Sequence, residues 1–391
     1  MVRPMKPASR LLASLASLAV STAASVAHAE GSDITFRART EVTAYKDNDA
    51  TNVLTPGLRA EIENVPSGWA IGASLLVDVV TTASADVVST ASPAWTDIRY
   101  VPGLDARFKI SDVTLSIAGG GSIESDYYAG SGTVGVAIDT NDKLITPSFS
   151  YGFGYDLASR RHTPLSVYSL ELMRHSLATH VSFVVNKSTI FMPGISAVLE
   201  LGDQEKPYRY LPTFTEGTEV PNGATRHEVN QLRTSVRLAE NTPDLRHRYA
   251  GSALIAHRWD NATVRVEERL YIDSWMLMAT TTDATIPIDL GTIVRIWPHL
   301  RFHAQKGVDF WQRAYVVNET SQGVEAPQLR AGDRELGPMI AATAGGGIRL
   351  GGDHVGLTMS ADAIYTRFLD HLFITNRIAG FGALVFDAEV D

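Results

Sequence analysis

Apolar and polar residues alternate with a period of two along much of this chain. The clearest case is the segment 291–304, where Ile296, Leu300 and Phe302 alternate with Arg295, His299, Arg301 and His303. Successive side chains of a strand point to opposite faces, so the segment predicts a strand with one apolar and one charged, histidine-rich face. The pattern fits a soluble sandwich, whose charged face meets water, or a membrane barrel, whose apolar face meets lipid.

Clusters of Gly, Pro, Asn and Asp divide the chain into sixteen predicted strands. Their bounds are 33–45, 51–63, 67–78, 95–101, 106–121, 129–140, 145–156, 178–188, 191–202, 248–258, 261–281, 287–304, 309–318, 338–350, 355–367 and 374–386. Outside the first thirty residues we find no comparable helical pattern, which favours one all-β domain.

The connections between these strands sort by parity. Those after even-numbered strands are short, whereas the long ones, 79–94, 157–177, 203–247 and 319–337, all follow odd-numbered strands. Short turns at one end and long extracellular loops at the other are typical of outer-membrane barrels. We therefore predict an all-β fold, a closed antiparallel transmembrane β-barrel of about sixteen strands, in the range of roughly 12–18. A two-sheet sandwich would also alternate, but it should not sort its loops this way.

The first residues predict export. A basic start with Arg3, Lys6 and Arg10 precedes an apolar run and the small-residue site Ala27-His28-Ala29, which indicates a cleaved signal peptide at 1–29 and a barrel over 30–391. The net charge is −9, and loss of the three basic residues leaves −12, which argues against nucleic-acid binding. The chain has no cysteine, which excludes disulfides and thiolate metal sites.

Several stretches resemble an outer-membrane barrel family catalogued as domain of unknown function 3570. They are ASPAWTDIR at 91–99, SIESDYY at 122–128, IDTNDK at 138–143, SFSY at 148–151, PDLRHR at 243–248, RLYIDSW at 269–275 and PHLRFHAQ at 298–305. The resemblance covers most of the mature chain and implies a barrel in the bacterial outer membrane, without an activity. Such barrels commonly end on an aromatic residue, whereas here Phe386 is followed by five further residues.

The charged faces of these strands are the candidate functional residues. If lipid meets the apolar faces, the lumen is lined by Arg37, Arg39, Arg59, Glu61, Arg265, Glu267, Arg269, Arg295, His299, Arg301 and His303. These side chains fit a basic ladder that attracts anions. They also fit a network in which Arg pairs with Glu across strands and holds the barrel open, and the two roles are compatible.

We expect neither a cofactor nor a metal. His299 and His303 lie roughly 13 Å apart on one strand, too far to ligate one ion together. Asp273, Ser274 and His299 are the candidates for a hydrolytic triad, but adjacent Asp273 and Ser274 should point to opposite faces.

The sequence thus predicts a porin-like channel for small polar or anionic solutes, because a barrel of this size leaves an aqueous passage unless something fills it. The alternatives are an outer-membrane enzyme acting on lipid or a surface polymer, and a non-conducting receptor or scaffold whose 203–247 loop binds a partner. The expected partners are outer-membrane lipid, the barrel-assembly machinery and small polar solutes.

Overall fold

The computed structural model describes residues 33–49, 51–82, 95–320, 323–352 and 354–390, and sixteen of its strands form one sheet. The strands are β1 Ile34–Asp47, β2 Asn52–Asn64, β3 Trp69–Thr82, β4 Trp95–Ile110, β5 Val113–Ile123, β6 Tyr127–Ile138, β7 Ile145–Ala158, β8 Leu170–Asn186, β9 Thr189–Gly202, β10 Leu245–Arg258, β11 Thr263–Asp273, β12 Met278–Thr285 with its continuation Ile288–Leu290, β13 Val294–Lys306, β14 Met339–Gly351, β15 Val355–Phe368 and β16 Asn376–Val390. The two parts of β12 count as one strand because both pair with β13. The predicted signal peptide and residues 83–94 of the first predicted long loop lie outside the described residues.

The sheet is closed. Each strand pairs antiparallel with the next, and β1 also pairs with β16 over a register that runs from Phe36↔Val390 to Asp47↔Ala379. The long connection between β9 and β10 does not interrupt this order, since the two strands pair from Leu201↔Leu245 to Thr189↔His257. Closure leaves the sheet no free edge. The predicted closed antiparallel barrel of sixteen strands is confirmed.

The outer face of the barrel is an apolar belt. Ile71, Leu104, Ile195 and Leu300 are 52%, 66%, 67% and 61% exposed, although a water-soluble fold would bury side chains of this kind. A closed sheet with all its strand groups paired and an apolar exterior is the β-structure that a bilayer accepts. The chain is therefore a barrel of the bacterial outer membrane. No helix among the described residues is long and apolar enough to cross a membrane.

An acidic side chain interrupts the belt on β11. Glu268 shares the outer face with Leu270, and it accepts hydrogen bonds from Thr280 and, at 2.5 Å, from the Oγ1 of Thr282. Both threonines lie on the neighbouring strand β12. The two hydroxyl donors compensate part of the cost of a carboxylate that faces lipid.

Three predicted strand boundaries are wrong. The predicted turn at 102–105 lies inside β4, where the β4–β5 pairing has only a gap at Val101 and Pro102, and the chain turns instead at Ser111, whose φ is 55°. The predicted strand 261–281 is a hairpin, because residues 274–277 form a turn that buries Trp275 and Leu277. The predicted strand 287–304 likewise contains the turn between β12 and β13.

The predicted strand 309–318 is not part of the barrel. Its alternation arises because Tyr315 and Val317 are buried against other loops, at 1% and 2% exposure. Within this segment Tyr315–Val316 is a strand that pairs in parallel with Tyr210–Phe214, and Asn318 begins the short strand Asn318–Thr320, which pairs with Gly323–Glu325. The predicted count of sixteen is nevertheless right, because two errors cancel: the segment 309–318 was counted as a barrel strand, and the two strands within 261–281 were counted as one.

Three connections at the long-loop end fold together into a cap, which we define as residues 203–244, 307–320, 323–338 and 369–375. It contains helix α1, Arg226–Leu232, which begins with a capping box between Thr225 and Glu228, and a small sheet in which Tyr210–Phe214 is the central strand. Phe214, Val220, Ala224, Val229 and Leu372 form its core. The cap thus has a hydrophobic core of its own, separate from the barrel wall.

The cap is attached to turns around the rim. Arg334 forms a buried ion pair with Asp49 of the β1–β2 turn, and Tyr208 donates a hydrogen bond to Asp126 of the β5–β6 turn. On a third side Glu335 of the cap forms an ion pair with Arg377 of β16 at 3.1 Å. These attachments place the cap across the long-loop end of the barrel.

Candidate functional site

The lumen wall has two unlike halves. Through the middle of β5 to β9, the inward side chains are small and uncharged, which we call the neutral arc; it includes Ser116, Ala118, Gly120, Ser131, Thr133, Ser150, Gly152, Ser176, Ala178 and Ser196. The rest of the wall, from β10 to β16 and on from β1 to β4, carries most of the inward charges and is called the charged arc. Small side chains on one half leave space beside long ones on the other.

All the predicted lumen residues lie on the inward face of the charged arc. Arg37 and Arg39 are on β1, Arg59 and Glu61 on β2, Arg265, Glu267 and Arg269 on β11, and Arg295, His299, Arg301 and His303 on β13. The opposite face of β13 carries the exposed Leu300 and Phe302. In the structure, the charged side chains and histidines of β13 lie on one face of the strand, and Leu300 and Phe302 lie on the other.

Most inward arginines are paired with carboxylates near the short-turn end. Arg37 contacts Glu389 at 2.7 Å and also Glu61 and Glu63, Arg59 contacts Asp105 at 2.6 Å, and Arg349 contacts Asp387 at 2.5 Å. The Arg37–Glu389 pair joins β1 to β16 and so crosses the closure of the sheet. This part of the wall is a cross-strand ion-pair network and leaves few free charges.

The strands β11 and β13 are not neighbours, although the predicted strands that carry Arg265–Arg269 and the histidines, 261–281 and 287–304, are consecutive. Strand β12 lies between them, because the missed turn at 274–277 adds one strand. Its Asp283 stands opposite Glu267 on one side and opposite Arg301 on the other. The predicted basic face is thus divided by an acidic residue.

His299 is held between two carboxylates. Its Nδ1 lies 2.8 Å from Oδ1 of Asp362, and its Nε2 lies 3.2 Å from Oδ2 of Asp283. Both partners accept hydrogen bonds, and the two N–H groups of a protonated ring satisfy both contacts. His299 therefore links β12 to β15 across two intervening strands.

His303 connects the lumen to the cap. Its Nδ1 lies 2.8 Å from Oγ1 of Thr281, and its Nε2 lies 3.2 Å from Oε1 of Gln305. The amide nitrogen of Gln305 donates to the carbonyls of Glu335 at 2.8 Å and Gly337 at 2.7 Å, both in the cap. Because these bonds orient the amide, Gln305 accepts from Nε2–H, and Nδ1 is left to accept from Thr281.

The structure does not bring the predicted hydrolytic residues together. Asp273 is buried in its turn and accepts from the backbone nitrogens of Trp275 and Leu277. Ser274 accepts from the backbone nitrogen of His247 at 3.0 Å, whereas His299 contacts Asp283 and Asp362. Each residue is engaged in a separate contact.

The sequence reasoning missed a polar cavity where the cap meets the rim. It has a volume of about 350 Å³ and is lined by residues that include Arg99, Glu124, Asp126, Asp156, Asp203 and Tyr208. Carboxylate oxygens of Asp97, Glu124 and Asp126 lie within 4.8 Å of one another here. All three acids belong to the stretches 91–99 and 122–128, so the signal was present but was read only as a family resemblance.

Burial shapes the electrostatics of this cavity. It raises the pKa of Glu124, although the guanidinium of Arg99 at 3.7 Å acts in the opposite direction. Burial, with the hydrogen bond to Asp126, also raises the pKa of Tyr208 to about 12. The Tyr208 hydroxyl therefore keeps its proton at neutral pH and remains a donor that fixes the cap to the rim.

Several solved outer-membrane proteins are similar to this chain in structure. The siderophore receptor PirA from Pseudomonas aeruginosa aligns at a TM-score of 0.41 and 10% identity, over 85% of this chain and 56% of that one. CdiB from Acinetobacter baumannii aligns at 0.48 and 8% identity, over 92% and 60%. OccK11 (OpdR) from Pseudomonas aeruginosa aligns at 0.41 and 8% identity, over 92% and 96%. The chain spans between half and two thirds of the length of PirA and CdiB.

In sequence, no curated protein matches the chain. A family model does match, over residues 13–354, which is most of its length, and its description reads "Protein of unknown function (DUF3570)". This span contains all the predicted lumen residues and the acidic rim cavity. The chain belongs to the DUF3570 family of outer-membrane β-barrels.

Proposed function

We propose that the barrel is a passage for small polar solutes across the outer membrane. The observation that supports it best is the neutral arc, because small side chains from β5 to β9 face the charged arc without filling the space between them. A sixteen-strand barrel whose lumen is not filled encloses an aqueous channel. The ion-pair network then keeps the wall polar and open, and it leaves only a modest preference for the sign of the solute.

The cap determines where such a solute would enter. It covers the long-loop end but leaves the polar cavity of about 350 Å³ beside β4 to β8. That cavity lies at the same side of the barrel as the neutral arc, so cavity and arc together form a polar route. Entry beside the cap is part of the proposal.

The test is ion conductance of the refolded full-length protein in planar bilayers. We expect discrete conductance steps, and Ser150→Trp on the neutral arc should reduce the step size because the indole projects into the lumen. The matched control is Leu177→Trp on the outer face of β8, which should leave the step unchanged. Absence of conductance in the unmodified protein would contradict the proposal.

A receptor is the second candidate, and the folded cap is the observation that favours it. A cap with its own hydrophobic core and ion pairs to the rim presents an ordered surface at the long-loop end. A receptor predicts that the intact protein is silent in bilayers and that removal of 210–239 opens it. Conductance of the intact protein would instead favour the passage.

A further inference from the structure

Four charged side chains on the lumen wall have no ion-pair or hydrogen-bond partner among the residues that the structure describes. They are Arg265, Glu267 and Arg269 of β11 and Arg301 of β13, and we call them the unpaired quartet. All four are exposed on the inward face. Among the inward charged side chains of the described strands, every other one forms an ion pair or a side-chain hydrogen bond.

Strand spacing does not explain why the quartet is unpaired. Elsewhere in the same wall, residues two apart do pair, as Arg39 does with Glu41 at 2.8 Å and Arg59 with Glu61 at 2.7 Å. Arg265, Glu267 and Arg269 have the same spacing and alternate in sign. Their side chains extend into the lumen instead and are available to a solute.

The neighbouring strands do not neutralise the quartet. Opposite it on β10 stand Ser252, Leu254 and Ala256, and on β14 Thr343 stands opposite Arg301. On β12 the nearest acid, Asp283, contacts His299 at 3.2 Å. Three guanidinium groups and the carboxylate of Glu267 therefore face the lumen without a partner among the described residues, and Asp283, which stands between Glu267 and Arg301, is held by His299.

We propose that the unpaired quartet binds a small zwitterion, with its carboxylate on the arginines and its ammonium group on Glu267. Guanidinium groups bind carboxylates through paired N–H donors. A simple anion would meet Glu267, which lies between Arg265 and Arg269 and about 6.6 Å from each along the strand. A simple cation would meet three guanidinium groups, whereas a molecule with both charges satisfies both signs. The inference deepens the proposed passage by naming its substrate class, and it rests on that proposal.

The test compares three probes with the same three-carbon skeleton by calorimetric titration of the refolded full-length protein. β-Alanine carries both charges, propionate only the negative one and propylamine only the positive one. We expect β-alanine to bind at least ten-fold more tightly than either of the others. Propionate binding as tightly as β-alanine would overturn the proposal.

Variants separate a zwitterion site from an anion site. Glu267→Gln should weaken β-alanine binding about ten-fold, whereas at a plain anion site the same change would strengthen propionate binding. Arg269→Gln and Arg301→Gln should each weaken β-alanine binding. None of these changes removes an ion pair or a side-chain hydrogen bond between described residues, so the fold should persist. The matched control is the double variant Arg349→Gln/Asp387→Asn, which removes a neutral pair from the same wall and should change nothing.

The two proposals fail in different ways. Normal conductance without β-alanine binding would overturn the zwitterion site and leave the passage standing. β-Alanine binding to a protein that never conducts would support the site and contradict the passage.

Discussion

Asp273, at the end of β11, holds its turn by four contacts. Its Oδ1 accepts from the backbone nitrogens of Trp275 and Leu277 at 2.9 and 3.0 Å, and its Oδ2 accepts from Tyr271 at 2.8 Å and from Nε of Arg246 at 2.9 Å. The β1–β2 turn repeats the arrangement, with Tyr45 donating to Asp47 and Asp47 accepting from two backbone nitrogens. A Tyr-x-Asp pair thus closes two distant hairpins.

The residue Asp273 should be costly to replace. Asp273→Ala leaves the partly buried Arg246 and two backbone nitrogens without their acceptor, and we expect a loss of roughly 3–5 kcal/mol in unfolding free energy. Reversible denaturation in lipid vesicles measures it. Asp309→Ala, which removes an exposed pair with Lys306, should cost less than 1 kcal/mol, about the value of a surface ion pair. Equal losses of unfolding free energy in the two variants would show that the contacts of Asp273 stabilise the protein no more than a surface ion pair does.

Leu300 tests the lipid face directly. It is 61% exposed on the outside of β13, so Leu300→Arg places a charge in the bilayer and should cost about 2–4 kcal/mol near the midplane. The same residue introduced inward, as Thr343→Arg on the adjacent strand, should cost far less because it enters the lumen. Denaturation in vesicles of both variants gives the comparison, and the reverse order would contradict the facing assignment.

At this scale the alternation of residues was sufficient to assign faces but not partners. Arg295 and Arg301 were both predicted to face the lumen and both do, yet Arg295 is paired with Asp289 at 2.5 Å whereas Arg301 is unpaired. The partner of a side chain depends on which strand lies beside its own and on the register between the two strands. Both depend on where the chain turns, as it does at 274–277. That turn contains Trp, Met and Leu and no Gly, Pro or Asn, so the usual turn signal was missing.

Among the elements, the cap depends on Arg209. Its guanidinium lies 2.7 Å from Asp333 and 3.8 Å from Glu240, both of which are in the cap. Burial disfavours the charged form of Asp333, but Arg209 outweighs burial and lowers the pKa of this carboxyl. Burial dominates for Glu240 and raises its pKa. The guanidinium of Arg209 therefore stabilises the charged form of the nearer carboxyl, Asp333, more than that of Glu240.

The Arg209–Asp333 contact predicts how the cap responds to acid. A carboxyl whose pKa is lower in the folded cap stabilises it above the ordinary value, and that contribution is lost as the pH falls through the folded value, below about 4. Glu240, whose pKa is raised, takes up its proton earlier in the fall, above its ordinary value, and this uptake stabilises the cap. A variant therefore isolates the Arg209–Asp333 contact better than a change of pH does. Asp333→Asn should weaken the cap by about 2 kcal/mol at neutral pH.

Limited proteolysis of the cap measures this. We expect Asp333→Asn to be cleaved within 203–244 several-fold faster than the unmodified protein at pH 7, with the barrel strands intact. Asp309→Asn, which changes an exposed carboxylate, serves as the control and should be cleaved at the unmodified rate. Unchanged cleavage of Asp333→Asn would show that the ion pair does not hold the cap.

The cap is also the part of the fold that the sequence could not predict. Its segments carry loop composition and one short alternating stretch, 309–318, whose period came from burial of Tyr315 and Val317. Pairings such as Thr213 with Tyr315 join segments about a hundred residues apart, and no local pattern encodes them. Barrel strands are different, because lipid and lumen impose the same alternation on each of them.

For the whole molecule, closure between β1 and β16 is open to a direct test, since the chain has no native cysteine. Thr43 and Ala383 are directly opposite across this seam and both face the lumen. Facing positions of paired strands bring Cβ atoms to about 4.5–5.5 Å, close to what a disulfide needs. Thr43→Cys/Ala383→Cys should therefore form an intramolecular disulfide on oxidation, seen as a reversible shift in gel mobility.

The control for the seam pairs Thr43→Cys with a cysteine at Ala379, four residues along β16. That position is roughly 13 Å out of register, beyond the reach of a disulfide. Crosslinking in the control but not in the facing pair would show a different register, and crosslinking in neither would show an open seam.

The neutral arc has a consequence for use of the protein as a nanopore. Its serines, alanines and glycines take part in few of the contacts that hold the wall, whereas the charged arc supplies the ion pairs that join the strands. The bore can therefore be narrowed, or fitted with a reactive label, by changing Ser131, Ser150 or Ala178 without dismantling the electrostatic scaffold opposite. With no native thiol to compete, a single cysteine on this arc would give a sensor with one chemically defined attachment point.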